Sequence, residues 1–555
     1  MFTANLCYCN EDTLNLSFKF ADAQRELAKM KAESMKVKAE NTVLKKKIEA
    51  LRFANKNIGK MFSPAQRQVI LGSKKVNWST QDIVNALSIR SISPKCYDRV
   101  KSTFNLPLPA MRTLRTWTYK FSCEEGILYD VIKIMGQEVS KMDDFSRVAA
   151  LCFDEMSIDS KSVLDPKYQC IVSHSKAQVV MLRGIFNNWK QAIFYEFNSA
   201  ITQATLFDII TCVEDAGFFL CAVICDLGAE NRSLLSNLQI STDQSCFPHP
   251  MDEKRNIYVL PDVPHCLKNL RNHILDDGVL LPDGTIIDRE KLLQMAMMNG
   301  TGELKLCPSF SVESLSISEA ERMRVRPAAQ FFSHRMACLA RKTFPNNLSI
   351  GKFFEAINDG FDVMNSRFPV CKKQKLKSGF GAFNISAQVQ TLLELKDTLE
   401  RIRFLTKKGN PKTVLLPCQA GFITSINSLL GLYKELKSKF QCGYILTARL
   451  NQDCLESFFG QIRGFSARNS HPTATEFRYR LKLVMLGSQS KPPKGSNVED
   501  DGARYLAAGL LSLDPGLKEN KEGPSDALAN EKILVLLCYY YITAIARRRI
   551  QFKTH

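Results

Sequence analysis

The chain has 555 residues, 45% of them hydrophobic and 24% charged, which is ordinary globular composition and length enough for several domains with buried cores. Its 75 lysines and arginines against 56 acids leave a formal charge of +19, favouring an anionic partner such as nucleic acid or an acidic membrane surface. The longest apolar run, residues 533–546, has 14 residues where a membrane helix needs ~20, so the protein is expected to be soluble. The 18 cysteines are scattered without paired CxxC spacings and are expected to be reduced intracellular thiols, not a disulfide framework or a zinc site.

From Leu27 the apolar positions step by three and four. Leu27, Ser34, Asn41 and Ile48 take the a positions of a heptad and Met30, Val37, Leu44 and Leu51 the d positions, with lysine and glutamate between them. This predicts a coiled coil over 18–53, and the lone Asn41 favours a two-stranded one, hence a homodimer or a higher homo-oligomer. The alternative is a single solvated charged helix. Residues 61–125 then carry three helix starts, at Thr80, at Ser93-Pro94 and at Pro109, which together suggest a helix-turn-helix. Its third helix exposes Arg112 and Arg115, with Lys120 beyond, as a DNA-reading helix would. Generic packing of three short helices is the competing account.

The run 148–153 reads as a buried strand that delivers Asp154 at its end. Residues 179–186 and 193–197 follow as a strand pair, then a helix over 202–216, a wholly apolar strand from Phe218 ending in Asp226, a short helix from Asn231 and a strand over 257–260. The order β, β, β, α, β, α, β, with acids closing the first and fourth strands, is that of an RNase H-like fold. Such a site needs a third acid on a later helix. The next 190 or so residues read instead as a largely helical insertion, and only in "LNQDCLESFFGQIRG" do Asp453 and Glu456 share a helix face with Phe459 and Arg463. Glu456 would close the trio.

Three further features have bland readings beside functional ones. His265 could orient a loop or DNA, but a half-buried histidine at a helix start is the simpler account. Lys268, Arg271 and His273 are expected to form a solvated basic face or a phosphate contact. Lys372, Lys373, Lys375 and Lys377 suggest a mobile loop first, and nuclear import or DNA tracking second.

Seven blocks, in order, carry a family resemblance: the 78–117 helices, "LCFDEMSI", "GIFNNWKQAIFYEFN", "AVICDLGAENRSLL", "YVLPDVPHCLKNLRNHILD", "NQDCLESFFGQIRG" and "RNSHPTATEFRYRLK". They resemble the P-element family of DNA transposases and its THAP-domain relatives over roughly residues 78–483. The resemblance implies an α/β RNase H-like catalytic domain split by a large mainly helical insertion. The leading half of the catalytic domain covers 145–261, a GTP-binding-like insertion 262–449 and the closing half 450–490. The coiled coil and helix-turn-helix precede it and a C-terminal region, 491–555, follows. By the same resemblance Asp154, Asp226 and Glu456 are the catalytic and metal-holding residues for two Mg²⁺ ions, and Asp362, Asn365 and Asp453 match positions associated with GTP. No Walker A loop and no NKxD motif supports the nucleotide independently. The implied partners are transposon-end and target DNA, and the implied compartment is the nucleus.

The family's members begin with a C2CH THAP zinc finger, whereas only Cys7 and Cys9 precede the heptads here, so the reader of element ends is expected to be missing. Two functions stay open: a metal-dependent DNA strand-transferase, and a domesticated or inactive nuclear DNA-binding dimer derived from one.

Overall fold

In a computed structural model the described residues are 8–73, 75–119, 123–165, 170–300, 305–464, 471–486 and 503–506. Cys7, Lys120 and nearly all of the 491–555 region therefore lie outside them. The described residues fall into two compact units divided at residue 82.

In the first unit the heptads belong to one helix, Tyr8–Met61, longer at both ends than the 18–53 read from the pattern. Every described side chain on it between residues 16 and 49 is exposed, including Leu27, Met30, Val37, Leu44 and Ile48. Among the described residues of this helix the apolar seam is therefore left unburied. A second helix, Pro64–Ile70, starts at a capping box in which Ser63 and Gln66 satisfy each other's backbone amides.

Three helices follow, Thr80–Ile92, Pro94–Ser102 and Met111–Tyr119. The first is capped by Ser79 with Asp82, one residue before the predicted Thr80: the Ser79 amide donates to the Asp82 carboxylate and the Asp82 amide to Ser79 Oγ. Ile83, Val84, Leu87, Tyr97 and Leu114 supply their buried side chains, and the Tyr97 hydroxyl donates to the Pro109 carbonyl at 2.7 Å, fixing the approach to the third helix.

The large unit is built on an eight-stranded mixed sheet. Its path runs Gly126–Ile127, Trp189–Phe197, Lys176–Gly184, Val148–Ser157, Phe219–Cys225, Asp252–Pro261, Cys246–His249, with Arg504–Tyr505 added beside Trp189–Phe197. Strands one, two and three of the predicted order pair antiparallel, the fourth pairs parallel to the first, and the fifth pairs parallel to the fourth. That is the RNase H-like arrangement.

The strand bearing Asp154 does not stop at the acid. It continues to Ser157 because its antiparallel partner stays paired down to the rung Ser157 with Lys176, long after the parallel partner has ended at Phe153 with Cys225. Asp154 and Asp226 thus occupy the next positions on two neighbouring strands, just where their own pairing ends. A sequence reading places the strand end at the change from apolar to acidic residues, whereas the ladder on the other edge decides it.

The insertion begins with helix Val263–Asp276 and includes His334–Thr343, Leu348–Met364 and Ile385–Arg401, packed around Ile350, Phe353, Phe354, Ile357 and Leu395. Its long helix Pro417–Phe440 lies directly on the sheet. A Cβ at Gly421 would stand 2.8 Å from Cys266 Sγ, and one at Gly431 would stand 2.5 Å from the Tyr258 ring, so two glycines allow the backbone to approach closely. Ser425 Oγ donates to the Pro261 carbonyl at 2.7 Å and Asn427 Nδ2 to that of Thr242 at 2.7 Å. Among the described residues no helix is long and apolar enough to cross a membrane.

Candidate active site

Strand pleating puts Cys152 and Asp154 on the same face, and the Cys152 thiol donates to the carbonyl of Asn451 on that face. Helix Asp453–Gly464 starts there and carries Glu456. Asp154 is half-buried, and its carboxyl is pushed up to about 7, chiefly by burial and, through repulsion, by Asp226 and Glu456, with His265 and the Glu155 amide acting the other way. The fold therefore brings Asp226 and Glu456 each within electrostatic reach of Asp154. Asp226 is held in its own turn, accepting from the Gly228 amide at 3.1 Å and Asn231 Nδ2 at 2.6 Å.

Glu456 is flanked by cations: His265 Nε2 at 3.7 Å and Lys268 Nζ at 3.9 Å, with Arg463 close enough to feel both Asp154 and Glu456. Lys268 and Arg271 are buried, so the expected solvated basic face does not exist. Lys268 turns toward the acid, while Arg271 donates to the Arg322 carbonyl at 2.9 Å and to Asn272. His273, with Asp277 at 3.4 Å, is half-buried.

The sequence reading misses the residue that joins these elements. Asp262 is buried and caps the helix that starts the insertion, accepting from the His265 amide at 2.9 Å and facing His265 Nδ1 at 2.6 Å. Its other oxygen accepts from the Gln452 amide at 2.8 Å, across a sequence separation of 190. Gln452 Nε2 then donates to the Phe153 carbonyl at 2.6 Å, and the Asp262 amide to that of Cys225 at 2.8 Å. One carboxylate and one glutamine thus tie together the points from which Asp154, Asp226 and Glu456 project. Burial opposes charge on Asp262 but the His265 cation and the donated bonds prevail, holding its carboxyl below the usual range. Burial likewise opposes a charged His265, yet Asp262 lifts it to about 9. A signal for it exists: the apolar strand before "PDVP" ends in an acid followed by proline at the first helical turn, an N-cap pattern.

Three carboxylates are hard oxygen donors of the kind Mg²⁺ takes, and their mutual repulsion is what a bound cation would relieve. In donor chemistry they fit. Among the described residues, however, no three His, Cys, Asp or Glu side chains are drawn together as a ready-made cage.

The nucleotide candidates divide. Asp362 and Asn365 line a cleft of about 750 Å³ whose other walls include Arg326, His334, Arg335 and Lys377. That volume suits a nucleotide-sized ligand. Asp362 is pushed up to about 6 by burial, with Lys377 at 3.5 Å opposing it. Asp453 does not line this cleft. It faces Arg367 at 2.9 Å, and its amide donates to Asn451 Oδ1, whose Nδ2 donates to Asn365 at 3.5 Å.

Arg112 and Arg115 are both exposed on the third helix of the helical trio. Arg115 also lines a second cleft, of about 530 Å³, with Arg90, Tyr479 and Lys482, so it shares a cationic recess with helix Ala474–Leu486.

Comparison with known proteins agrees with this architecture. Residues 123–239 match the TNP-like RNase H N-terminal domain, 264–377 the TNP-like GTP-binding insertion domain and 449–479 the TNP-like RNase H C-terminal domain. The chain is 29% identical over 477 residues to the Transposable element P transposase of Drosophila melanogaster, covering 84% of this chain and 61% of that protein. It is 24% identical over 511 residues to the DNA transposase THAP9 of Homo sapiens, covering 83% of this chain and 55% of the relative. The solved Drosophila P element transposase strand transfer complex superposes with a TM-score of 0.71 at 27% identity, covering 79% of this chain and 98% of that one. The chain spans about three fifths of the length of these curated relatives, and its RNase H-like sheet, its interrupting GTP-binding-type insertion and the order of its blocks are similar to those of P-element-type transposases.

Proposed function

We propose that this chain is a DNA transposase that cleaves transposon ends and transfers their strands to target DNA in the nucleus. The observation that carries the reading is the convergence of Asp154, Asp226 and Glu456 where two neighbouring strands lose their pairing and the returning helix begins. Those three residues would hold divalent cations, which when bound supply the charge stabilisation that in-line displacement at phosphorus needs. The chain's own role is to hold the half-buried acids at the sheet's edge of pairing, to brace Glu456 with His265 and Lys268, and to offer Arg463 to a phosphate. Incubation of the full chain with transposon-end DNA, target plasmid and Mg²⁺ should give cut ends and joined products. Persistent binding without cutting favours the alternative, an inactive nuclear DNA-binding dimer with the acids left over.

The 750 Å³ cleft is read as the GTP site of the insertion. A carboxylate such as Asp362 can accept from the N1–H and N2–H of guanine, whereas adenine presents an acceptor at N1. Arg326, Arg335 and Lys377 provide charge for phosphates. Calorimetry is expected to show preference for GTP over ATP, weakened about 10-fold or more in Asp362→Ala, since a site built to pair a donor discriminates strongly. Equal affinity for the two nucleotides would remove guanine recognition from this cleft.

Self-association is assigned to the exposed heptads and duplex binding to Arg112 and Arg115. Sedimentation of the full chain should give a dimer or a higher oligomer. Its affinity for duplex DNA should fall steeply with salt and drop further in the Arg112→Ala/Arg115→Ala variant. A monomer at micromolar concentration, or a variant that binds as the parent does, would remove the corresponding assignment.

A further inference from the structure

The loop 368–377 reads from sequence as a lysine-rich connection, yet its anchoring is firm at both ends. Arg367, just before it, donates to Asp453 at the start of the Glu456 helix, at 2.9 Å. Lys377, at its end, meets Asp362 in the nucleotide cleft. The base is closed by the Gly379 amide donating to the Phe368 carbonyl and by the Cys371 amide donating to Ser378 Oγ, both at 2.9 Å. Gln388 Nε2 holds the Ser378 carbonyl at 3.0 Å.

On this fixed base the exposed groups are of two kinds. Phe368 is 66% exposed, Val370 58% and, beyond the loop, Phe383 56%. Tyr444, 37% exposed, has its ring against Gly379, next to Phe368 in the closed base. Large side chains this open gain nothing for folding. Among them stand Lys372, Lys373 and Lys375, all exposed and, among the described residues, paired with no carboxylate; Lys375 Nζ lies 5.1 Å from the Phe383 ring centre.

We propose that Phe368, Phe383 and Tyr444, with Lys372, Lys373 and Lys375, form a platform for single-stranded DNA, its bases stacked on the rings and its phosphates drawn by the lysines. Rings and unpaired cations interleaved on a rigid loop suit unstacked bases joined by a charged backbone, whereas a duplex hides its base faces. The loop's two ends are anchored at the start of the Glu456 helix and in the proposed nucleotide cleft, so the proposal rests on and deepens the transposase reading: a strand freed at the cut would be held by a loop tied to the site.

The test is fluorescence anisotropy of the full chain, without divalent metal, on labelled oligothymidylate of ~20 nucleotides and on a duplex of equal length. Phe368→Ala/Phe383→Ala should weaken single-strand binding about 10-fold or more while leaving duplex affinity unchanged. Replacing Lys372, Lys373 and Lys375 with Ala should flatten the single-strand salt dependence by about two units of logarithmic slope. Retained melting temperature and retained GTP affinity confirm that the variants fold. Single-strand affinity equal to the parent's, an equal loss on duplex, or an oligomer of the parent that the Phe variant dissolves would each overturn the proposal, the last by assigning the surface to a second copy. Failure of the transposase reading is separable: a chain that never cuts but loses single-strand binding in the Phe variant retains the platform.

Discussion

Asp154→Asn is expected to reduce cleavage and strand transfer by about 1,000-fold or more, the scale of removing a pre-positioned charged group from a reacting centre. The same substitution should leave the melting temperature unchanged or raised. The amide keeps the shape and the acceptor for the Glu155 amide, which Asp154 Oδ1 binds at 2.8 Å. What it removes is an anion that burial and two neighbouring carboxylates already disfavour. Glu456→Gln should lose activity equally but behave otherwise in a thermal scan, because it strips Lys268, whose side chain is only 5% exposed, of the acid beside it. Breaking a buried pair from one side costs about 3–5 kcal/mol, reduced here by the loose 3.9 Å contact and by the 21% exposure of the Glu456 side chain. Stable but inactive Asp154→Asn beside destabilised and inactive Glu456→Gln is the expected pattern. An Asp154→Asn variant that cuts as the parent does would remove Asp154 from the site.

The sequence is most legible where one local rule decides an element. Wholly apolar runs ending in acids locate the strands of Asp154 and Asp226, and helical spacing locates the helix of Glu456, although some 230 residues of chain lie between the last two. It is least legible where a tertiary partner decides. The Asp154 strand runs on to Ser157 because of a ladder with Lys176–Gly184. Lys268 and Arg271 look like a solvated face, since helical spacing alone does not reveal that a carboxylate and the Arg322 carbonyl await them. Resemblance groups Asp453 with Asp362 and Asn365, and the structure gives it a different neighbour, Arg367. The 750 Å³ cleft has no signature in the sequence because its walls come from helices Val325–Phe331, His334–Thr343 and Leu348–Met364 and from the loop before Ser378, and no single stretch holds it.

The bond between Asp262 and Gln452 closes the insertion at its root, and from this follows the second large effect. Asp262→Ala removes the acceptor for the His265 amide, the Gln452 amide and the His265 ring together, leaving the half-buried imidazole with only the more distant Glu456, at 3.7 Å, as an acid partner among the described residues. The expected cost is about 3–5 kcal/mol, seen as a fall of roughly 10 °C in the transition that melts the RNase H-like sheet. Asp262→Asn retains one acceptor, for the Gln452 amide, and gives up the charge and the second oxygen that takes the His265 amide, so its cost should be smaller than that of the alanine, nearer the ~1–3 kcal/mol of a lost buried hydrogen bond. A general loss of packing would not order the two variants in this way. Hydrogen exchange separates the cases further: Asp262→Ala should release the amides of His265 and Gln452 and the first turn of the Glu456 helix, while the amides of helix Leu348–Met364 stay protected. With Glu456 no longer held against the end of the Asp154 strand, strand transfer should fall with the exchange protection, and Asp262→Asn should recover some of both. Uniform exchange across the insertion, or unchanged exchange at Gln452, would mean that the return of the chain to the sheet is fixed elsewhere, by the seating of helix Pro417–Phe440 on Asp252–Pro261.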